Sequence, residues 1–348
     1  MKAFAATALL IALSASPASS QLNDPSDFAG SRTWSGWAFQ EENDVLTQTN
    51  VDKFYTQGLR FSLTRNPRNN PPWVDKVADA FVNKFDPTFI ATPRVWSIGL
   101  GQNIYTPDDI TITTPQLNDR HWGGFLYIDN TLQIIDTAEE KRHVIELQTG
   151  IVGPASGARW AQATLHKIIG SAPPVGWPNQ LKNEPGVNVI YEYDRRIIIN
   201  SLKPLDVDVQ PFAGGSLGNV MTYGTLGVIA RAGKNNTGFL NGALRATAAS
   251  NFSGSRPKWE GWVYAGAAGR AVAHNIFLSG GFFQQVPSEI KTERLVYDLM
   301  TGFSVRYRRW RLTYNLVRRS REFTHPLAVG DGKQQFGSVV LSVERIFQ

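Results

Sequence analysis

The chain contains no cysteine. An exported protein without cysteine has no disulfide framework, so its stability must come from burial or from barrel closure. Thiol nucleophiles and thiolate metal sites are excluded with it. Beyond the first twenty or so residues, no uninterrupted apolar run approaches the roughly 18 residues that a spanning helix needs. A membrane-spanning form would have to be a β-barrel. The five histidines include no i,i+4 pair and no H-E-x-x-H pattern, so zinc is not expected. The one G-x-S-x-G spacing, Gly214–Gly218, has no helix pattern after it and makes no nucleophile elbow. There is no internal repeat and no low-complexity segment.

The N-terminus reads MKAFAATALLIALSASPASSQ. Lys2 precedes the apolar run Ala3–Leu13, and the small residues Ala18 and Ser20 follow. This is the pattern of a secretory signal peptide over residues 1–20, with Gln21 as the expected mature start. Residues 21–348 are then one domain. The net charge is +6, from 35 basic and 29 acidic residues. That serves solubility, or attraction to an anionic surface. Export argues against nucleic acid as the partner and leaves an anionic lipid headgroup open.

Most of the mature chain alternates with period two, the signature of strands with one apolar face. In Val95–Gln102, Trp96, Ile98 and Leu100 face one way, and Ser97, Gly99 and Gly101 the other. Val144–Ile151, Asp206–Gln210 and Val296–Arg308 repeat the pattern. The polar faces carry Glu, Asp, Gln, Arg and Gly, while the apolar faces are rich in aromatics. A soluble sandwich turns its apolar face inward. A transmembrane barrel turns it toward lipid, with aromatic girdles at the interfaces. The reading is an all-β, antiparallel transmembrane barrel of about twelve strands. Its last strand is expected over Gly337–Phe347. Asn66–Phe85, with Pro71-Pro72 and then a helical pattern, is a connection. The run Gly214-Gly215-Ser216-Leu217-Gly218 is expected to be a turn.

One stretch breaks the strand pattern. Gly150–Glu184 leaves a strand, passes through a short helical pattern and ends in a loop rich in Pro, Gly and Trp. His166 sits in its middle, with Gln162 one turn earlier on the same helix face. Asn43-Asp44 and Thr56 lie at the facing ends of the first two strands. If the chain starts on the inner side, the first and fifth strands both end outside. Topology alone then puts Asn43, Asp44, Thr56 and His166 on one outer rim. Ordinary turn chemistry for Asn and Asp at strand ends is the alternative.

Several separated pieces resemble the outer-membrane lipid A 3-O-deacylase family, LpxR. They are Glu42-Asn43-Asp44 with Phe54-Tyr55-Thr56-Gln57-Gly58, Gly101-Gln102-Asn103-Ile104-Tyr105-Thr106-Pro107, Asp119-Arg120, and Gly150–Pro154 through Gln162, His166–Gly170, Gly176-Trp177, Gln180 and Asn183-Glu184. They span about the first half of the mature chain; the second half fits by strand pattern. The resemblance implies a twelve-stranded barrel in the bacterial outer membrane with a short helix in an extracellular loop, its active site facing the outer leaflet. It implies calcium-dependent (Ca2+) hydrolysis of the acyl chains ester-linked at the 3-position of lipid A in lipopolysaccharide. By motif match, Asn43, Asp44, Thr56 and His166 fall on the family's active-site positions. This chain departs from the pattern at Ala172, where a family member carries a catalytic-site Glu six residues after the His. Either that Glu is dispensable or another carboxylate, such as Glu184, substitutes.

The chemistry fits ester hydrolysis by water. His166 is the natural general base. Asp44 supplies a hard carboxylate ligand for calcium, which would polarise the ester carbonyl. Asn43 and Thr56 can serve the oxyanion or the metal. Gln162 is placed to orient His166. Lys53, Arg120, Arg159 and Lys167 near the rim are candidates to hold lipid A phosphates, with solvated loop charges as the alternative. A single-chain monomer is the expected unit. Two other readings stay open at this point: a non-enzymatic pore or structural barrel, and an outer-membrane phospholipase.

Overall fold

In a computed structural model the chain is described over residues 30–44, 46–47, 54–87, 94–136, 138, 140–199, 204–235, 238–239, 257–283, 287–325 and 332–345. The expected signal peptide and Lys53 lie outside these residues. Twelve long strands follow one another around a closed antiparallel ring. They are β1 (Trp34–Asn43), β2 (Phe54–Arg65), β3 (Arg94–Thr106), β4 (Gly123–Asp136), β5 (Lys141–Val152), β6 (Glu184–Arg195), β7 (Asp206–Gly218), β8 (Met221–Lys234), β9 (Trp259–Asn275), β10 (Leu295–Tyr307), β11 (Trp310–Arg319) and β12 (Gln334–Glu344). Each pairs with its neighbour in sequence, and β12 closes on β1 from Gly36↔Glu344 to Asn43↔Gly337. The short piece Ile197–Ile199 pairs with the start of β7. Closure leaves no free sheet edge. No helix among the described residues is long and apolar enough to cross a membrane.

The alternation read from the sequence sorts the two faces as expected. Outward positions such as Phe39, Phe61, Leu100, Ile128, Leu147, Leu226 and Leu299 are exposed and apolar. The interior is densely occupied by side chains around a cavity lined by residues that include Gln40, Glu42, Arg60 and Arg319. One part is aromatic, with Tyr55, Tyr105, Phe125, Tyr127, Phe212, Trp262, Tyr264 and Phe336 in a single cluster. The rest is ionic. Arg60 meets Asp129 at 2.5 Å, Arg142 meets Asp194 at 3.0 Å and Arg231 meets Asp208 at 2.8 Å. Arg311 bridges Glu344 and Glu260, and Asp298 takes both Arg270 at 2.9 Å and Arg319 at 2.8 Å. Charges taken out of water in this way are held by partners on neighbouring strands.

Two expectations change. Gly214–Gly218 is not a turn but the end of β7, paired with β6 from Tyr193↔Ala213 to Asn188↔Gly218. Glycine is required there by close approach: a Cβ on Gly214 would lie 2.2 Å from the Tyr191 carbonyl oxygen. The last strand begins and ends earlier than expected, at Gln334 and Glu344, and Phe347 lies outside the described residues.

Helices sit outside the ring at both rims. Helix α1 (Pro72–Phe85) fills the connection between β2 and β3. Helix α2 (Ala158–Ile169) follows β5. The rim that carries α2 also carries the β1–β2 connection, so Asn43, Asp44, Thr56 and His166 share one rim.

Candidate active site

The site is built on the outer wall rather than in the lumen. Along β1, Gln40 and Glu42 point inward; Glu42 accepts a 2.5 Å hydrogen bond from Tyr55 Oη of the interior cluster. Phe39, Glu41 and Asn43 therefore share the outward face. Asn43 pairs with Gln57 of β2, and Glu41 with Leu59. Gln57 Nε2 donates to Glu41 Oε1 at 3.3 Å. Polar side chains have thus replaced apolar ones at the top of a wall that elsewhere meets lipid. Such groups are costly at a lipid face and mark function.

A β-bulge between Tyr55 and Gln57 adds Thr56 to β2 against β3. Bulges re-aim side chains at functional sites. Here Thr56 Oγ1 lies 2.7 Å from Thr106 Oγ1, both buried. Asp44 follows Asn43 immediately and is 3% exposed. Its carbonyl accepts from Thr47 N and Oγ1, which fixes the turn after β1.

Helix α2 is seated over β3 and β4. Its first turn rests where Gly124 leaves room: a Cβ on Gly124 would stand 2.2 Å from Ala158 Cβ. Ala158 packs with Ile104, Trp122 and Trp177, and Gln102 Nε2 donates to Ser156 O at 2.6 Å just ahead of the helix. Ala158, Gln162 and His166, at i, i+4 and i+8, are the buried stripe of the helix. Its other side is open, with Trp160 74% and Ile168 75% exposed. Arg159 and Lys167 are exposed with them.

His166 Nδ1 lies 2.6 Å from Ala172 O. A carbonyl only accepts, so Nδ1 carries the proton and Nε2 is left as the basic nitrogen. The turn that brings Ala172 back depends on Gly170, at φ 73°, and on the Ser171 N→His166 O bond. The position where the resemblance leads one to expect a Glu side chain thus supplies a backbone oxygen instead. Gln162 lies one turn back on the same buried stripe of the helix. Its Oε1 accepts from Trp177 Nε1 at 2.8 Å, so it ties α2 to the loop before β6.

Two further expectations are redirected. Glu184 does not substitute for the absent Glu; its carboxylate accepts from Asn219 Nδ2 at 3.2 Å and from Phe283 N at 3.4 Å. Arg120 is not presented at the rim. It is 1% exposed, paired with Glu322 at 2.8 Å, with its guanidinium over Phe54, Tyr105 and Phe323. It belongs to the packing that closes the barrel mouth. Beside it His121 is held neutral: burial, and then the Arg120 charge, push it down to about 4. Burial alone would raise the Glu322 carboxyl, but Arg319, Arg120 and Arg270 outweigh it and hold it at about 2.

The grouping is therefore Asn43, Asp44 and Thr56 at the adjoining ends of β1 and β2, and His166 on α2 over β3 and β4 of the same rim. Glu41, Gln57 and Thr106 join it and escaped the sequence reading. The parity of β1 carries the signal, since Glu41 stands on the same face as Phe39.

A closed barrel with a lipid-facing belt and a polar, histidine-bearing site on its outer wall defines an integral membrane barrel whose site meets the lipid rather than the lumen. The sequence model of the family described as Outer membrane protein LpxR matches residues 4–345. The chain belongs to that family and is an outer-membrane protein. The solved structure of LpxR from Salmonella typhimurium has the same fold, with a TM-score of 0.70 and 19% identity, covering 89% of this chain and 100% of that one. The β domain of the Bordetella autotransporter BrkA gives a TM-score of only 0.42 at 10% identity, over 90% and 99% of the two chains. No curated protein matches the sequence.

Proposed function

We propose that the protein is a calcium-dependent esterase of the outer membrane that removes 3-O-linked acyl chains from lipid A. Family membership supports the activity. The single observation that carries it is the polar site on the lipid-facing wall. A substrate that never leaves the membrane has to be met from that side. The rim bearing α2 is taken as the outer one, since it lies opposite the rim where β1 begins and β12 ends.

His166 is the general base in this reading. With Nδ1 donating to the Ala172 carbonyl, Nε2 takes the proton of the attacking water and later returns it to the leaving hydroxyl. Asn43 and Thr56 donate toward the charge that develops on the ester oxygen. Arg159 and Lys167, on the open side of α2, are suited to lipid A phosphates, and Lys53 is proposed with them on its motif position.

Calcium would rest on oxygen donors at the end of β1. Among the described residues no group of three or more His, Cys, Asp or Glu could hold a metal. The carboxylate of Asp44 and the amide oxygen of Asn43 are hard donors of the type calcium takes, in a ligand set that backbone oxygens and water commonly complete. Asp44 would hold the ion with Asn43. When bound, it supplies a Lewis acid for the ester carbonyl.

The test offers lipid A and phospholipid together to the purified barrel, with calcium and with a chelator, and reads the products by mass spectrometry. Loss of one 3-linked acyl chain from lipid A, only with calcium, is expected. Cleavage of phospholipid alone would assign the other substrate and overturn the reading.

A further inference from the structure

Helix α1 stands apart from the site, on the opposite rim. It does not extend into the periplasm but lies against the outer wall. Val74 and Ala78 pack on Leu132 and Ile134, outward-facing residues near the end of β4. Trp73 stands edge-on to Trp96 of β3, centroids 5.4 Å apart. At its other end Phe81 lies 5.2 Å from the His143 ring of β5 and 5.8 Å from Tyr191 of β6. His143 Nε2 is also 3.6 Å from Asp86 just past the helix, and Arg94 holds Asp75 at 3.4 Å and Asp79. The helix therefore crosses four strands.

Its length says in which direction. The 14 residues span about 21 Å at about 1.5 Å each. Strands about 4.8 Å apart, tilted by about 40° in a barrel wall, pass at about 6 Å intervals around the circumference. Three intervals take up nearly the whole helix. The axis of α1 thus runs around the barrel, in the membrane plane.

The barrel covers only part of its apolar arc. Val74, Ala78 and Val82 are buried. Trp73, Val77 and Phe81, spaced i, i+4, i+8, form a second stripe beside them, and Trp73 and Val77 remain 47% and 46% exposed. The polar residues Asp75, Asp79 and Asn83 occupy the remaining side. The open stripe continues a ring of aromatics on the wall at this rim, where Trp34 meets Trp96 at 6.3 Å and Trp37 meets Trp310 at 5.8 Å. Such rings mark the headgroup level.

We propose that α1 is an in-plane interfacial helix that seats Trp73 and Val77 at the headgroup–acyl boundary of the periplasmic leaflet, with phospholipid as its partner. Lys76 and Lys84, both exposed, reach past this boundary to anionic headgroups. The helix thereby fixes the depth of the β3–β6 side of the barrel. This does not depend on the deacylase reading.

The absence of native cysteine makes the test clean. Spin labels are placed singly at Val77→Cys, Trp73→Cys and Asn83→Cys, with Leu226→Cys on the barrel belt as reference. The full chain is reconstituted in vesicles of phosphatidylethanolamine and phosphatidylglycerol, and folding is verified by heat-modifiable migration. Power saturation then compares collisions with oxygen and with a water-soluble nickel chelate. Labels at positions 73 and 77 are expected to favour oxygen, as at 226, and the label at 83 to favour nickel. Nickel-accessible labels at 73 and 77 would place this face in water and overturn the proposal. Labels there that meet neither reagent would overturn it too, by showing protein over the stripe.

Discussion

His166 Nδ1 donates to the carbonyl oxygen of Ala172, 2.6 Å away and six residues on. The contact assigns the imidazole tautomer through a main-chain carbonyl, and it depends on a backbone turn rather than on a side chain. Two consequences can be measured. Nitrogen-15 spectra at neutral pH are expected to show His166 protonated on Nδ1; the opposite tautomer would contradict the geometry. Ala172→Glu, at an exposed position, is expected to change activity by less than about threefold, a difference under about 1 kcal/mol.

Gly170 carries that turn at φ 73°. Gly170→Val forces a β-branched residue into the left-handed region at a cost of roughly 1–3 kcal/mol. We expect lipid A hydrolysis to fall tenfold or more while heat-modifiable migration stays normal. Unchanged turnover would show that the turn does not position the base.

Gln162 holds Trp177, which is fully buried. Gln162→Leu leaves an indole N–H without its acceptor, a loss of about 1–3 kcal/mol. The expected result is faster proteolysis or hydrogen exchange over the loop 170–183, with the strands unaffected. If that loop is unchanged and only the histidine tautomer shifts, Gln162 orients His166 after all.

The mouth of the barrel should loosen in acid. His121 is lowered to about 4 from an ordinary 6.5, so protons bind preferentially when it is released. Its contribution is complete above pH 6.5 and declines as pH falls toward 4, by on the order of 3 kcal/mol. Glu322, held at about 2, adds a second decline as pH falls from 4.5 toward 2. Hydrogen exchange at residues 119–122 and 320–325 should accelerate in those windows, and His121→Phe should remove the first of them.

The interior predicts what the protein does not do. Asp298 is the nearest carboxylate to both Arg270 and Arg319, and Arg319 also reaches Glu322 at 3.7 Å. Asp298→Ala is expected to cost about 3–5 kcal/mol, because two buried guanidinium groups lose their nearest carboxylate. Urea titration of the folded barrel in detergent measures it. With aromatic and ionic layers across the lumen, planar bilayers containing the wild-type protein should show no steady conductance. Open-channel currents would restore the pore reading.

The barrel was legible because a period of two is a local property. Val207 and Val209 against Asp208 and Gln210 declare their faces without knowledge of any neighbour. The site was half legible. Asn43, Asp44, Thr56 and His166 could be placed on one rim by counting strands, but Glu41 and Thr106 enter through cross-strand neighbours that register alone defines. Arg120 reads as a rim cation until its partner Glu322, two hundred residues on, turns it inward. The role of Ala172 is carried by a carbonyl oxygen that every residue has, so no side-chain pattern could announce it. Gly214–Gly218 reads as a turn because glycine signals both tight turns and tight strand packing, and only the neighbouring backbone of β6 distinguishes them.

His166, on the outer wall, is expected to drive removal of an acyl chain from lipid A. The measurement is mass spectrometry of lipid A after incubation in calcium with the wild-type barrel and with His166→Ala, both verified as folded by heat-modifiable migration. Loss of one 3-linked acyl chain is expected with the wild type, and a rate reduced by about a hundredfold or more with the variant. Equal turnover by the folded variant, or intact lipid A with both proteins, would contradict it.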